Sequence, residues 1–293
     1  MKKPIFQGAA TAIVTPMYDD CSVNYEKLKE LTENQILKGI DALVVCGTTG
    51  ESATVSYEEH KKIIETVVKQ TNGRVPVIAG AGSNDTARAV LLSQNAIDAG
   101  ADALLIVTPF YNKTSQKGIV AHYKYIADRV SVPIIVYNVP SRTGVNVLPE
   151  TYLQLSKHPN IVAVKEANGN ISALAESISL CGDDLVFYSG NDDQTVPFLS
   201  LGGKGVISVA SNILPYEMHK ICYDYMNGNC NEAAKEQLKY TRIFKLLFCD
   251  VNPIPVKEAM NILGYGVGPV RLPLCAMSEE NKTLLEDEIK KIF

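Results

Sequence analysis

The sequence predicts an α/β fold, a (β/α)8 TIM barrel over residues 1–225 followed by a C-terminal helical domain over residues 226–293. Three observations predict it. Eight short, β-branched apolar runs alternate with longer amphipathic stretches, at an early spacing of roughly 30 residues that suits strand–crossover–strand units. The runs are apolar on both faces, as strands of a parallel sheet covered on both sides must be. From about Asn212 the short runs cease and only helical patterns remain.

In chain order, the first run is Ala10–Thr15. The Ile13-Val14-Thr15-Pro16-Met17 segment supplies no Gly-rich dinucleotide turn, which speaks against a doubly wound open sheet. The second run, Ala42–Cys46, leads into Gly47-Thr48-Thr49-Gly50-Glu51-Ser52, and Tyr57–Gln70 reads as an amphipathic helix. The third, Pro76–Ala79, enters Gly80-Ala81-Gly82-Ser83, Gly-rich but lacking the lysine of a P-loop, and Thr86–Ala99 is the next helix. The remaining runs are Ala103–Val107, Pro133–Tyr137, Ile161–Lys165, Leu185–Ser189 and Gly205–Val209. Beyond them, Asn231–Leu247 and Glu279–Ile292 are helical with no strand between.

Composition excludes several classes. The 293 residues are 46% hydrophobic and 20% charged, ample apolar surface for a folded core. Lys plus Arg is 28 against 32 Asp plus Glu, net −4, so there is no basic surplus for nucleic acid. The seven cysteines are odd in number and form no C-x-x-C pair, which disfavours a disulfide framework or zinc cluster and fits a reducing compartment. The start, MKKPIFQGAATAIVTP, is broken by Pro4, Gln7 and Gly8, and no apolar run approaches the roughly 18 residues that would span a membrane. A soluble, cytoplasmic protein is expected. The four histidines show no metal-ligand spacing, so no metal is expected.

Barrel chemistry sits where strands end at the C-terminal face. Lys165 directly follows the sixth apolar run. Desolvation lowers an ammonium pKa, and a neutral amine can attack a carbonyl to form a Schiff base; the structural alternative is a lysine that ends the strand and snorkels to water. Tyr137 ends the neighbouring fifth run, placed to shuttle protons for such chemistry or, alternatively, to serve as a core tyrosine with a satisfied hydroxyl. The Thr48–Thr49 pair between glycines offers hydroxyls and amides to a small carboxylate, and Thr48 could relay a proton to Tyr137; a capped turn is the alternative. Thr108-Pro109-Phe110-Tyr111 sets an aromatic pair on a loop. Arg142, just past Tyr137, suits a carboxylate ligand, or a surface salt bridge of little consequence.

Taken together these segments resemble the pyruvate-dependent class I aldolase family. The matching stretches are GTTGES from Gly47, TPFYNKTSQ from Thr108, YNVPSRTG from Tyr137, VAVKEA from Val162, SGND from Ser189, GGKGVISV from Gly202 and NPIPVK from Asn252. They run in order over nearly the whole chain. The resemblance implies the barrel with its helical domain, assembled as a tetramer of two tight dimers, and no external cofactor. Within the family it points to the condensation of pyruvate with aspartate 4-semialdehyde on the route to diaminopimelate and lysine. It assigns Lys165 the imine and Tyr137 the proton transfers. Thr48 and Tyr111 complete a relay, Tyr111 reaching in from the neighbouring subunit. Thr49 and the Ile207 backbone hold pyruvate, Arg142 takes the semialdehyde's carboxylate, and Gly190 lines the site.

A lysine-inhibitor pocket of the kind found in this family would fall on Ser52, Ala53, His60 and Asn84. This chain departs there: Tyr57 replaces a common histidine, Arg88 a glutamate and Phe110 a tyrosine. Arg88 would repel the amine of lysine, so weak or absent feedback inhibition is expected. Two other readings remain: a sister activity such as N-acetylneuraminate lyase or a 2-keto-3-deoxy sugar-acid aldolase, and a non-catalytic barrel that binds a small acid. The Thr48–Thr49 pair and Arg142 favour the small carboxylated aldehyde.

Overall fold

The computed structural model describes residues 2–293. Eight parallel strands close into a barrel in sequential order: β1 (Gly8–Ala12), β2 (Ala42–Val45), β3 (Val77–Gly80), β4 (Ala103–Val107), β5 (Ile134–Asn138), β6 (Ile161–Glu166), β7 (Val186–Ser189) and β8 (Gly205–Ser208). Helices α1 (Tyr25–Leu37), α2 (Tyr57–Thr71), α3 (Thr86–Asp98), α4 (Gln116–Ala127), α5 (Pro140–Thr143), α6 (Pro149–Ser156), α7 (Ile171–Cys181), α8 (Thr195–Ser200) and α9 (Pro215–Met226) follow the strands. The chain then continues through α10 (Cys230–Lys239), α11 (Thr241–Leu246), α12 (Ile254–Ile262) and α13 (Glu279–Ile292).

Alternation along the strands builds two cores. Residues facing the helices form the larger one, from Val45 and Ile64 to Phe244 and Leu285. Those facing inward form a second, in which alanines (Ala10, Ala12, Ala42, Ala103, Ala163) alternate with larger side chains such as Val44, Ile78, Leu105, Ile135 and Ile207. Its floor is Phe6 stacked on Tyr188, with ring centroids 4.3 Å apart and the Tyr188 hydroxyl donating to the Phe6 carbonyl at 2.8 Å. The stacked pair closes the N-terminal end, while the opposite end opens into a cavity whose walls include Ala12, Val44 and Leu105.

Two elements differ from the sequence reading. The first strand starts at Gly8 rather than Ala10, because Gly8 pairs with Gly205 to close the barrel. A Cβ on Gly205 would lie 1.8 Å from the Gly8 carbonyl oxygen, so this seam admits only glycine. Second, the single helix read over Asn231–Leu247 is two, α10 and α11, separated at the buried Tyr240.

A buried ion pair ties the helical segment to the loop after β2. Lys257 Nζ of α12 lies 2.9 Å from Glu51 Oε1, both fully buried, and also donates to the Thr15 and Pro269 carbonyls. The other Glu51 oxygen accepts from the Arg271 backbone at 2.8 Å, while the Arg271 guanidinium grips Glu59 and the Thr54 carbonyl. Glu51 sits in left-handed backbone at φ 56°. Its place in the GTTGES loop is thus structural: it fixes the loop that carries Thr48 and Thr49.

Candidate active site

The barrel mouth holds a cavity of about 340 Å³ lined by Thr48, Thr49, Tyr137, Arg142, Lys165 and Gly190, among others. Register explains the juxtaposition. Tyr137 of β5 pairs directly with Lys165 of β6, so both point inward at the same height. Lys165 Nζ lies 4.5 Å from the centroid of the Tyr137 ring. The next pair, Asn138 and Glu166, faces the helices, where Asn138 Nδ2 and the Tyr152 hydroxyl donate to the Glu166 carboxylate at 2.9 and 2.6 Å. That buried network clamps the ends of β5 and β6 from behind.

Burial tunes the lysine. Lys165 is 5% exposed, and desolvation brings its pKa down to about 8. The Asp192 carboxylate opposes this and the Arg142 guanidinium adds to it. At neutral pH roughly a tenth of the lysine is then the free amine, against a negligible fraction for an exposed one. Burial pushes the Tyr137 phenol up, while the Arg142 charge and a hydrogen bond with Thr48 pull the other way. The tyrosine therefore stays protonated and can lend its proton.

The structure brings Lys165, Tyr137, Thr48, Thr49, Arg142 and Gly190 to one cavity. A Cβ on Gly190 would meet the Ala167 Cβ at 2.7 Å and the Lys165 Cε at 3.2 Å, so the missing side chain is what leaves the lysine room to move. Ile207 lies in the inner core beneath, its side chain fully buried. Tyr111 stays outside the cavity of its own chain, 89% exposed, on left-handed backbone at φ 66°. Ser52 and Ala53 are exposed, Asn84 is half-buried, and His60 is buried in α2 with Nε2 2.8 Å from the Gly80 carbonyl. Of the other histidines, His122 is buried beside Thr86, and His158 and His219 pair with Asp128 and Asp41. Among the described residues no group of His, Cys, Asp or Glu could hold a metal ion.

Two contributions were missed in the sequence. Phe248, Asp250, Val251 and Asn252, between α11 and α12, line the same cavity. Asn252 Nδ2 donates to Thr49 Oγ1 at 3.0 Å, and its carbonyl accepts from Arg142 Nη2 at 3.4 Å. The only signal was the NPIPVK stretch itself, whose asparagine carries no charge. The second is Asp192, a buried acid just past β7 whose charge reaches Lys165.

A closed barrel with a desolvated lysine at the tip of β6, facing a phenol on β5, defines the Schiff-base-forming aldolases of class I. Comparison with known proteins narrows the class. The chain belongs to the dihydrodipicolinate synthetase family, whose model matches residues 5–292. It is 55% identical over 283 residues to the 4-hydroxy-tetrahydrodipicolinate synthase of Caldicellulosiruptor saccharolyticus, covering 97% of this chain and 96% of that one. It is 53% identical over 289 residues to the synthase of Thermoanaerobacter sp. (strain X514), covering 98% and 97%. Among solved structures, dihydrodipicolinate synthase from Thermotoga maritima superposes with a TM-score of 0.96 at 42% identity, covering 98% of this chain and 99% of that one.

Proposed function

We propose that this enzyme, a lyase, acts as a 4-hydroxy-tetrahydrodipicolinate synthase: it captures pyruvate as an imine on Lys165 and condenses it with L-aspartate 4-semialdehyde. The observation that supports this most is the direct pairing of Lys165 with Tyr137 in a cavity that also holds Arg142. The free amine attacks the keto carbon of pyruvate, water leaves, and the iminium becomes an electron sink. A methyl proton departs, and the enamine attacks the aldehyde carbon of the second substrate. Closure by that substrate's own amine displaces Lys165. Tyr137 carries the protons that the carbinolamine and enamine steps release and consume, with Thr48 as the next station. Thr49 and the Ile207 backbone hold the pyruvate carboxylate, Gly190 gives the lysine its room, and Arg142 receives the carboxylate of the semialdehyde.

The assembly we propose is a homo-oligomer, a tetramer built from tight dimers, in which Tyr111 completes the relay of a neighbouring copy. Its near-full exposure and strained backbone support a role outside its own chain. A reducing cytoplasm suits seven cysteines that form no disulfide. The pathway assigned is that of diaminopimelate and lysine.

Substrate comparison tests the reading. Aspartate semialdehyde with pyruvate is expected to turn over, whereas N-acetylneuraminate and 2-keto-3-deoxy sugar acids are not cleaved at comparable rates; the reverse preference would place the chain with a sister activity. Arg142→Ala is expected to raise the KM for the semialdehyde by about 10- to 100-fold, the worth of a charge-assisted hydrogen bond, with pyruvate trapping by borohydride preserved. Equal loss for both substrates contradicts the assignment of Arg142.

Feedback by lysine is expected to be weak or absent. The Arg88 guanidinium stands 5.9 Å from the centroid of the Tyr57 ring, a cation beside the pocket that Ser52, Ala53, His60 and Asn84 would form. Like charge disfavours an incoming ammonium. Initial rates at saturating pyruvate should be unchanged by millimolar lysine and should become lysine-sensitive in Arg88→Glu; inhibition of the unaltered enzyme at low lysine concentration overturns this.

A further inference from the structure

We infer that Asp192 is the fixed counter-charge of the Lys165 imine, a positioning residue that acts through the lysine rather than by touching substrate. The inference rests on the Schiff-base reading above. Asp192 opens the short turn after β7, two residues past Gly190, and is 2% exposed. One carboxylate oxygen, Oδ2, accepts from the backbone amides of Val209 and Ala210 at 3.2 and 3.0 Å, just past the end of β8. The other, Oδ1, is buried with no hydrogen-bond partner.

A buried carboxylate oxygen without a donor is costly. Such a group persists where a nearby cation offsets it. Lys165 pairs with Tyr188 of β7, and a Cβ on Gly190, two residues before Asp192, would lie 3.2 Å from the Lys165 Cε, so the strand end that carries the acid packs against the lysine whose charge reaches it. The two amides hold the carboxylate at the joint between β7 and β8, and its chain neighbours Gly190 and Asn191 line the open cavity while Asp192 itself does not. It therefore lies outside the cavity lining yet within the field of the nitrogen.

The chemistry has a use for such a charge. Imine formation joins the neutral Lys165 Nζ to the keto carbon; the carbinolamine hydroxyl takes a proton delivered through Tyr137 and leaves as water, and the nitrogen, keeping one of its own hydrogens, is left cationic. Loss of the methyl proton sends the C–H electron pair into the new C=C bond and the C=N pair onto nitrogen, so the enamine is neutral. Arg142, needed for the substrate's carboxylate, makes every cationic form less stable. An anion held in place by two backbone amides offsets Arg142 and keeps the imine protonated, which is the form that acidifies the methyl group.

The charged and titratable groups around the pair are few. Lys165 faces Tyr137, Arg142 and Asp192, and Glu166 lies behind it on the opposite face of β6. Asp192 faces Lys165, the Ser208 hydroxyl and the buried Cys222 thiol. Burial raises the Asp192 pKa while Lys165, Ser208 and the two amides oppose that rise.

The test is Asp192→Asn, which keeps the shape and can still accept from the two amides. The acid limb of kcat/KM for pyruvate reports protonation of the free lysine. It is expected to move about one unit toward acid in the variant, the usual effect of removing an adjacent opposite charge, while kcat falls at least tenfold and the borohydride adduct still maps to Lys165. An unmoved acid limb overturns the inference, whatever happens to kcat, because a merely structural acid would not shift it. If the adduct maps elsewhere in the parent enzyme, the underlying Schiff-base reading fails instead. Should the variant not fold, infrared difference spectra of the unaltered enzyme labelled with ¹³C-aspartate decide. Adding pyruvate should shift the carboxylate stretch of a buried, ionised aspartate, and the absence of any such band refutes the proposal.

Discussion

Lys165→Ala is expected to reduce turnover of pyruvate and aspartate semialdehyde to below roughly a thousandth of the parent rate, and to abolish borohydride trapping. Among the described residues no other buried amine shares the cavity. The second buried lysine, Lys257, is locked to Glu51 and two carbonyls and cannot substitute. The truncation opens onto a cavity that already exists, so no closed void is made in either core, and the circular dichroism spectrum should match that of the parent. Near-normal turnover in a folded Lys165→Ala protein would remove the basis for the proposed chemistry.

Tyr137→Phe should lower kcat by about 10²- to 10⁴-fold, the range that a positioned proton shuttle contributes. The ring that lies 4.5 Å from Lys165 Nζ stays in place, so packing at the tip of β5 is retained and only the hydroxyl is lost. Because the shuttle serves every proton transfer but is not the nucleophile, the lysine adduct should still form, more slowly. The pairing of a large loss in kcat with a surviving adduct separates this role from a structural one; an unaltered kcat argues that Thr48 or water moves the protons without the phenol.

The barrel strands were legible because burial on both faces leaves an unbroken apolar signature. Lys165, Tyr137 and the Gly47–Ser52 loop stood out because each breaks that signature at a strand end, where barrel chemistry gathers. The start of β1 was hidden, since Gly8 reads as a breaker when taken alone and only the approach of Gly205 explains it. The break at Tyr240 was hidden as well, because a tyrosine on the apolar face continues the helical period.

The far side of the mouth was illegible for a different reason. Asn252 meets Thr49 across 203 residues of chain, and nothing local marks either as the other's partner. Asp192 stands beside Asp193 in a short acidic turn, and only the fold reveals that the first is buried while the second is exposed. Likewise, Glu51 sits inside the most reactive-looking loop, yet its carboxylate turns away to Lys257 and Arg271. A sequence displays which residues are reactive; three-dimensional burial decides which of them act and which only hold the others in place.

The decisive measurement is peptide mapping after the enzyme is incubated with pyruvate and reduced with borohydride. The account requires a single pyruvate-derived modification, on the peptide that contains Lys165, absent when pyruvate or borohydride is omitted. A modification carried by another side chain, or none at all in protein that still turns over substrate, would contradict it.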